Sequence, residues 1–257
     1  MANYSTLLPE RANTTIKWIF EGEELQYYQF IEKGIIKATD DHNINYKFNS
    51  EGYRCDNFTD QSELPVVFLG CSMTEGIGVK FENLWRSRVL SRIRTITGKK
   101  IPHWSLALAG AGIDDQSRRL YEFSQRVNIK HVYALFPPMH RREYKYDGND
   151  YRLWTGSANS SRIINHVFVD RDFSEYQTQR SLMILDSLRQ ALNFKITATL
   201  WGNRVEDEKI YKNFPNIKFF TPLYSFPDLS RDQCHHGPIY HATLAEHMWE
   251  NSKENYD

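Results

Sequence analysis

A serine, an aspartate and a histidine stand where acyl-transfer chemistry would need them. Ser72 lies in "FLGCSMTEGIGV" (residues 68–79), a Gly-rich bend directly after an apolar run at residues 65–70. A serine hydroxyl is a weak nucleophile until an adjacent base takes its proton. Asp232 and His235 could supply that base. In "SRDQCHHGPIYHATLAEHM" they stand three apart, in a loop just before the last helical pattern. That spacing lets the carboxylate reach back to the imidazole Nδ1 and set its tautomer, leaving Nε2 free. The bend at Ser72 adds a second element. Where a strand stops and a helix begins, free backbone N–H groups can stabilise an oxyanion or hold a phosphate. The phosphate-loop pattern is nearly mimicked from Gly70 to Gly76, but Lys80 and Phe81 break it. The stretch "GIGVKF" lacks the third glycine of a dinucleotide fingerprint. A tight turn that merely contains a serine is the plain alternative; the Asp-x-x-His loop weighs against it.

These residues need a scaffold, and the pattern of the chain describes one. Short apolar runs at 65–70, 101–110, 130–136, 195–202 and 216–220 read as strands. Between them, 82–98, 113–126, 173–194 and 235–255 read as helices. Gly98 is a C-terminal signal, Ser174 a candidate N-cap, and Pro238 a first-turn proline. Strands alternating with helices imply a parallel five-stranded sheet in a three-layer α/β/α sandwich. Sites in such sheets form outside the carboxyl ends of the strands, where the bends at 70–78 and 110–112 fall. Residues 1–63 read as an irregular N-terminal extension, with a hairpin among its turn residues, packed on a domain at 64–257.

The bulk numbers narrow the classes of function. In 257 residues, 32 Lys and Arg balance 32 Asp and Glu, so nothing advertises nucleic acid as a partner. Three cysteines in no framework spacing suit a reducing compartment. A leader and an apolar run of about 18 residues are both missing, so the expectation is a soluble, unexported, cytoplasmic protein with no membrane partner. His236, His241 and His247 do not make an i, i+4 ligand pair, and no metal or other cofactor is expected. The oligomeric state is not legible.

Taken together, the Gly70-Cys71-Ser72-Met73-Thr74-Glu75-Gly76 block, the Gly110 bend of "SLALAGAG" and Asp232-Gln233-Cys234-His235 resemble the SGNH (GDSL-type) hydrolase superfamily over roughly residues 64–250. "FNSEGYR", upstream of the first block, also looks like a segment found in some members. The resemblance implies a flavodoxin-like fold. It implies Ser72 as nucleophile, His235 as general base and Asp232 as its orienting partner. The N–H groups of Ser72 and Gly110 would be oxyanion donors. Two departures stand out. Cys71 replaces the usual aspartate, and reads as a small buried filler rather than a second nucleophile. The third-block asparagine has no match after the third strand, where "PPMHRREY" follows. A "GND" at residues 148–150 lies a dozen residues too late and reads as a turn. His140, Arg141 and Arg142 stand at the correct strand end. Arg141 could take the asparagine's role and Arg142 could bind substrate, or the group is a solvated basic turn.

The resemblance therefore implies a serine esterase or acylhydrolase acting on an acetyl or short-acyl ester of a small molecule or carbohydrate. Trp154 and Tyr151 could stack on sugar rings. An O-acyltransferase would use the same triad. A binding or structural module on a hydrolase scaffold is the alternative that the missing asparagine favours.

Overall fold

The computed structural model describes residues 9–19, 21–35, 43–58, 63–146, 149–153, 171–201, 205–221 and 228–256. In chain order the elements are β1 (Thr15–Ile16), α1 (Glu21–Glu32), β2 (Tyr46–Lys47), β3 (Val66–Leu69), α2 (Ser72–Glu75), α3 (Trp85–Thr97), β4 (His103–Ser105), α4 (Ile113–Ser124) and β5 (His131–Phe136). They continue with β6 (Arg142–Tyr146), β7 (Asn149–Leu153), α5 (Arg171–Leu192), β8 (Lys195–Leu200), α6 (Val205–Lys212), β9 (Lys218–Phe219) and α7 (Pro238–Glu250).

Five strands form the main sheet in the order β4-β3-β5-β8-β9. Numbered among themselves, that is 2-1-3-4-5, the flavodoxin-like winding. β5 pairs in parallel with β3 on one side (Val66 opposite His131) and with β8 on the other (His131 opposite Lys195). Helices flank the sheet, as the alternation of runs implied. All six residues of β5 are buried, the mark of a strand covered on both faces.

The chain folds as two compact units. One comprises Met1–Glu63, Ser72–Ser105 and Ser225–Asp257, the other Leu64–Cys71 and Leu106–Tyr224. In the second unit the core is built on Phe68, Tyr133 and the inward faces of α4 and α5. The Phe68 and Tyr133 rings stack at 5.5 Å, and Ser117 donates to the Ser181 carbonyl across the helix pair. In the first unit α3 packs on α7. Gly98 ends α3 in the left-handed conformation, and Pro238 opens α7. The side chain of Asp228 accepts the Ile239 and Tyr240 N–H groups, capping α7 from ten residues upstream of Pro238.

Two local expectations change. β1 and β2 pair antiparallel, Thr15 opposite Lys47, but α1 lies between them, so the pair is not a hairpin. Ser174 is not an N-cap: α5 begins at Arg171, which puts Ser174, buried, inside the first turn. Its carbonyl accepts a hydrogen bond from Arg142 instead.

Each unit also buries a neutral histidine. In the second, His131 Nε2 lies 2.9 Å from Thr197 Oγ1, and burial, helped by Lys130, Lys195 and Lys218, brings its pKa down to about 3. In the first, His241 Nδ1 accepts the Trp85 N–H at 3.1 Å, and burial, with His236 and nearby arginines, brings it to about 3. An unfolded histidine titrates near 6.5, so between pH 6.5 and 3 the unfolded chain binds more protons. The stability these sites provide is complete above pH 6.5 and is lost as the pH falls. The expected loss is about 2 kcal/mol per histidine by pH 5. Urea titrations at pH 7.5, 6 and 5 check it; a flat denaturation midpoint would contradict it.

Candidate active site

Ser72 is the first residue of α2, three residues past the end of β3. Two glycines shape the bend that follows it. Gly76 and Gly78 both have positive φ, 87° and 72°. A Cβ at Gly76 would collide with Leu84 and Arg54, and one at Gly78 with Ser230. Glycine is therefore required twice, for conformation and for close approach.

The Asp232–His235 loop is tightly organised. Its backbone closes with Ser230 N–H donating to the His235 carbonyl at 2.8 Å and Gln233 N–H to the Ser230 carbonyl at 3.0 Å. Gln233 takes the left-handed conformation, φ 55°. Asp232 is fully buried and both its oxygens are hydrogen-bonded. Oδ1 accepts the Ser230 hydroxyl at 2.7 Å and the N–H groups of Cys234 and His235, each at 3.0 Å. Oδ2 lies 2.6 Å from His235 Nδ1. A carboxylate only accepts, so Nδ1 carries the proton and Nε2 is left to exchange one. Burial pushes the Asp232 carboxyl up, but the hydrogen bond and charge of His235, with the Ser230 hydroxyl, outweigh it and bring it down to about 2. Asp232 is thus ionised throughout the range in which an enzyme would work.

Ser72 and this loop belong to the same compact unit, and a direct bond ties their segments: the Arg231 N–H donates to the Gly78 carbonyl at 3.3 Å. One partner is adjacent to Asp232, the other six residues past Ser72.

Sequence reasoning missed the residues beneath this junction. Tyr46 accepts the Gly78 N–H at 2.7 Å and donates to Glu23 Oε1 at 2.6 Å. Glu23 also takes Arg231 Nε at 2.9 Å, and both side chains of this ion pair are fully buried. The Arg231 guanidinium lies 3.9 Å from the Trp18 ring centroid. The clue was the arginine next to Asp232, but its partners are far away in the chain.

The other candidates lie in the second unit. Gly110 has φ 79°, in a turn where Ala111 N–H donates to the Leu108 carbonyl and Leu108 N–H to the Gly70 carbonyl. Arg141 is buried with its guanidinium 4.7 Å above the Trp201 ring. Arg142 is turned inward, bonding the carbonyls of Ser174 at 2.6 Å and Arg141 at 3.2 Å. His140 stands in the turn before β6. Asn149 pairs with Tyr146 at the end of the β6–β7 ladder. Gly148 and Trp154 lie outside the described residues.

Cys71 is fully buried. Burial pushes the Cys55 thiol up to about 12 and raises that of Cys234, so neither favours a thiolate. Among the described residues no group of three or more His, Cys, Asp or Glu gathers as a metal site. Among them, too, no helix is long and apolar enough to cross a membrane.

No family model and no curated protein matches the chain. Solved structures do. One is the psychrotrophic esterase EstA from Pseudoalteromonas sp., 12% identical over 75% of this chain and 98% of that one, with a TM-score of 0.50. TesA is 13% identical over 74% of this chain and 99% of its own, TM-score 0.51. The lipase Lip_vut3 from a goat rumen metagenome is 14% identical over 74% and 97%, TM-score 0.50. Likeness at this identity establishes architecture: the chain has the α/β fold of the SGNH hydrolases, in a divergent form.

Proposed function

We propose that the protein is a serine esterase or acylhydrolase that cleaves the O-acyl bond of a small ester through Ser72, His235 and Asp232. One observation carries this reading: a buried, ionised Asp232 holds His235 by Nδ1 in a loop bonded to the segment that bears Ser72. The nearest purpose of such an arrangement is to present a neutral Nε2 as a base. The named activities of the structural neighbours, two of them an esterase and a lipase, agree with it.

The reaction then runs in two halves. His235 Nε2 takes the Ser72 proton as Oγ attacks the ester carbonyl. The oxyanion that forms is held by the N–H of Ser72 at the start of α2. The C–O bond breaks, and the alcohol leaves with the proton from His235. Water, deprotonated by His235, attacks the acyl-Ser72 ester and releases the acid. A second alcohol in place of water would make the enzyme an acyltransferase. Acetyl and short-acyl esters, carbohydrate acetates among them, are the first substrates to try.

The test is labelling with a fluorophosphonate, read by intact mass. Wild-type protein should take one adduct, and Ser72→Ala and His235→Ala should take none. An unlabelled, folded wild type would overturn the reading. It would leave a binding module on a hydrolase fold.

A further inference from the structure

The segment that bears Ser72 has a chain of backbone carbonyls that its own helix cannot satisfy. α2 has four residues. The Ser72 carbonyl takes the N–H groups of Gly76 and Ile77, and the Gly76 carbonyl takes that of Val79 at 3.3 Å. Orphan carbonyls at a helix end must be met by side chains or water. Here two buried arginines meet them. Arg86 Nε donates to the Thr74 carbonyl at 3.1 Å. Arg54 Nη1 donates to Glu75 at 3.0 Å and Gly76 at 2.5 Å, and its Nη2 to Val79 at 2.9 Å. Arg86 Nη2 in turn bonds the Arg54 carbonyl at 2.6 Å, locking the two together.

Both arginines are almost wholly buried, 2% and 0% exposed. Aromatic rings cover them, Tyr46 at 4.5 Å from Arg54 and Phe81 at 4.7 Å from Arg86. Burial lowers Arg54 to about 10 and Arg86 to about 9, so both remain cations at neutral pH. Burying a cation is expensive, and an apolar side chain would fill the same space at less cost. What only arginine offers is a rigid planar fork that reaches three carbonyls at once.

We propose that Arg54 is a positioning residue for the nucleophile: its fork fixes the backbone of residues 72–79, and so the direction of the Ser72 hydroxyl and N–H. The effect on turnover rests on the serine-hydrolase reading above; the fixing of the segment does not.

Arg54→Lys keeps the charge and loses the fork. The test measures amide hydrogen exchange of the peptide spanning residues 72–79, fluorophosphonate labelling, and steady-state kinetics on p-nitrophenyl acetate. In the variant, exchange of that peptide should rise by about tenfold or more while residues 131–136 stay protected. Labelling should slow by about 10- to 100-fold, in kcat rather than KM. Unchanged exchange in 72–79, or labelling as fast as wild type, would overturn the proposal. If Arg54→Lys does not fold, Arg86→Lys carries the test, with a smaller local rise because within residues 72–79 Arg86 holds the Thr74 carbonyl alone, its other bond holding the Arg54 backbone. If wild type is never labelled, the hydrolase reading fails, and exchange still decides whether Arg54 fixes the segment.

Discussion

Replacing Asp232 by Asn is expected to cut turnover by about ten-thousand-fold, or about 5 kcal/mol of transition-state stabilisation, with little change in KM. The cause is proton placement rather than lost charge alone. Asp232 Oδ2 accepts from His235 Nδ1 at 2.6 Å, while Oδ1 is held by a hydroxyl and two backbone N–H groups. An asparagine must keep its oxygen on those three donors, which turns its NH2 toward His235. The imidazole then accepts at Nδ1 and carries its proton on Nε2, where it cannot act as a base. The same substitution carries a separate stability signature. A carboxyl held near 2 against an ordinary 3.8 stabilises the folded protein above pH 4, and that contribution is lost as the pH falls toward 2. Its size is about 2 kcal/mol. Kinetics with urea titrations at pH 7 and pH 3 separate the two effects. A kcat within tenfold of wild type would remove Asp232 from the mechanism.

Glu23→Gln should destabilise the protein by about 3–5 kcal/mol. The Glu23–Arg231 pair is fully buried on both sides. Glu23 also accepts the Tyr46 hydroxyl and, through Oε2, the Ile19 N–H at 2.8 Å. A neutral amide leaves the Arg231 cation in the interior without its counter-ion. The loss should spread to Gly78 and Asp232, because Tyr46 holds the first and Arg231 is adjacent to the second. Urea unfolding measures it, with Glu246→Gln as the control. That residue's pair with Arg92 is about half exposed on each side, and solvent screening should leave the midpoint unmoved. Equal midpoints for the two variants would contradict the assignment.

How far the sequence could be read depended on the range of the signal. The five strands and the helices α3, α4, α5 and α7 were legible because buried runs and helical spacing are local, whereas α6 was not read. The Asp232–His235 pairing was legible because a carboxylate three residues from an imidazole in a loop has few other arrangements, and the two meet at 2.6 Å. α1 was not. It buries Glu23 and Tyr27 and leaves Leu25 60% exposed, so its apolar pattern points away from the core. Arg54 looked like one charge among many, since its partners are backbone carbonyls, which have no sequence identity. The Glu23–Arg231 pair spans 208 residues, and no spacing rule reaches that far. Ser174 misled because a serine that precedes a helical pattern reads as a cap wherever the true first turn lies.

The first unit is assembled from three separated stretches, and this gives the protein a history on the ribosome. A nascent chain holds Glu23, Tyr46, Arg54 and Ser72 long before residues 225–257 exist. The 160 residues from Ser72 to Asp232 take about 10–30 s to synthesise. Throughout that interval Ser72 lacks the Asp232–His235 loop, and Glu23 has no arginine from the closing segment. The Asp232–His235 loop and the buried Glu23–Arg231 pair therefore arrive together, in the same late step.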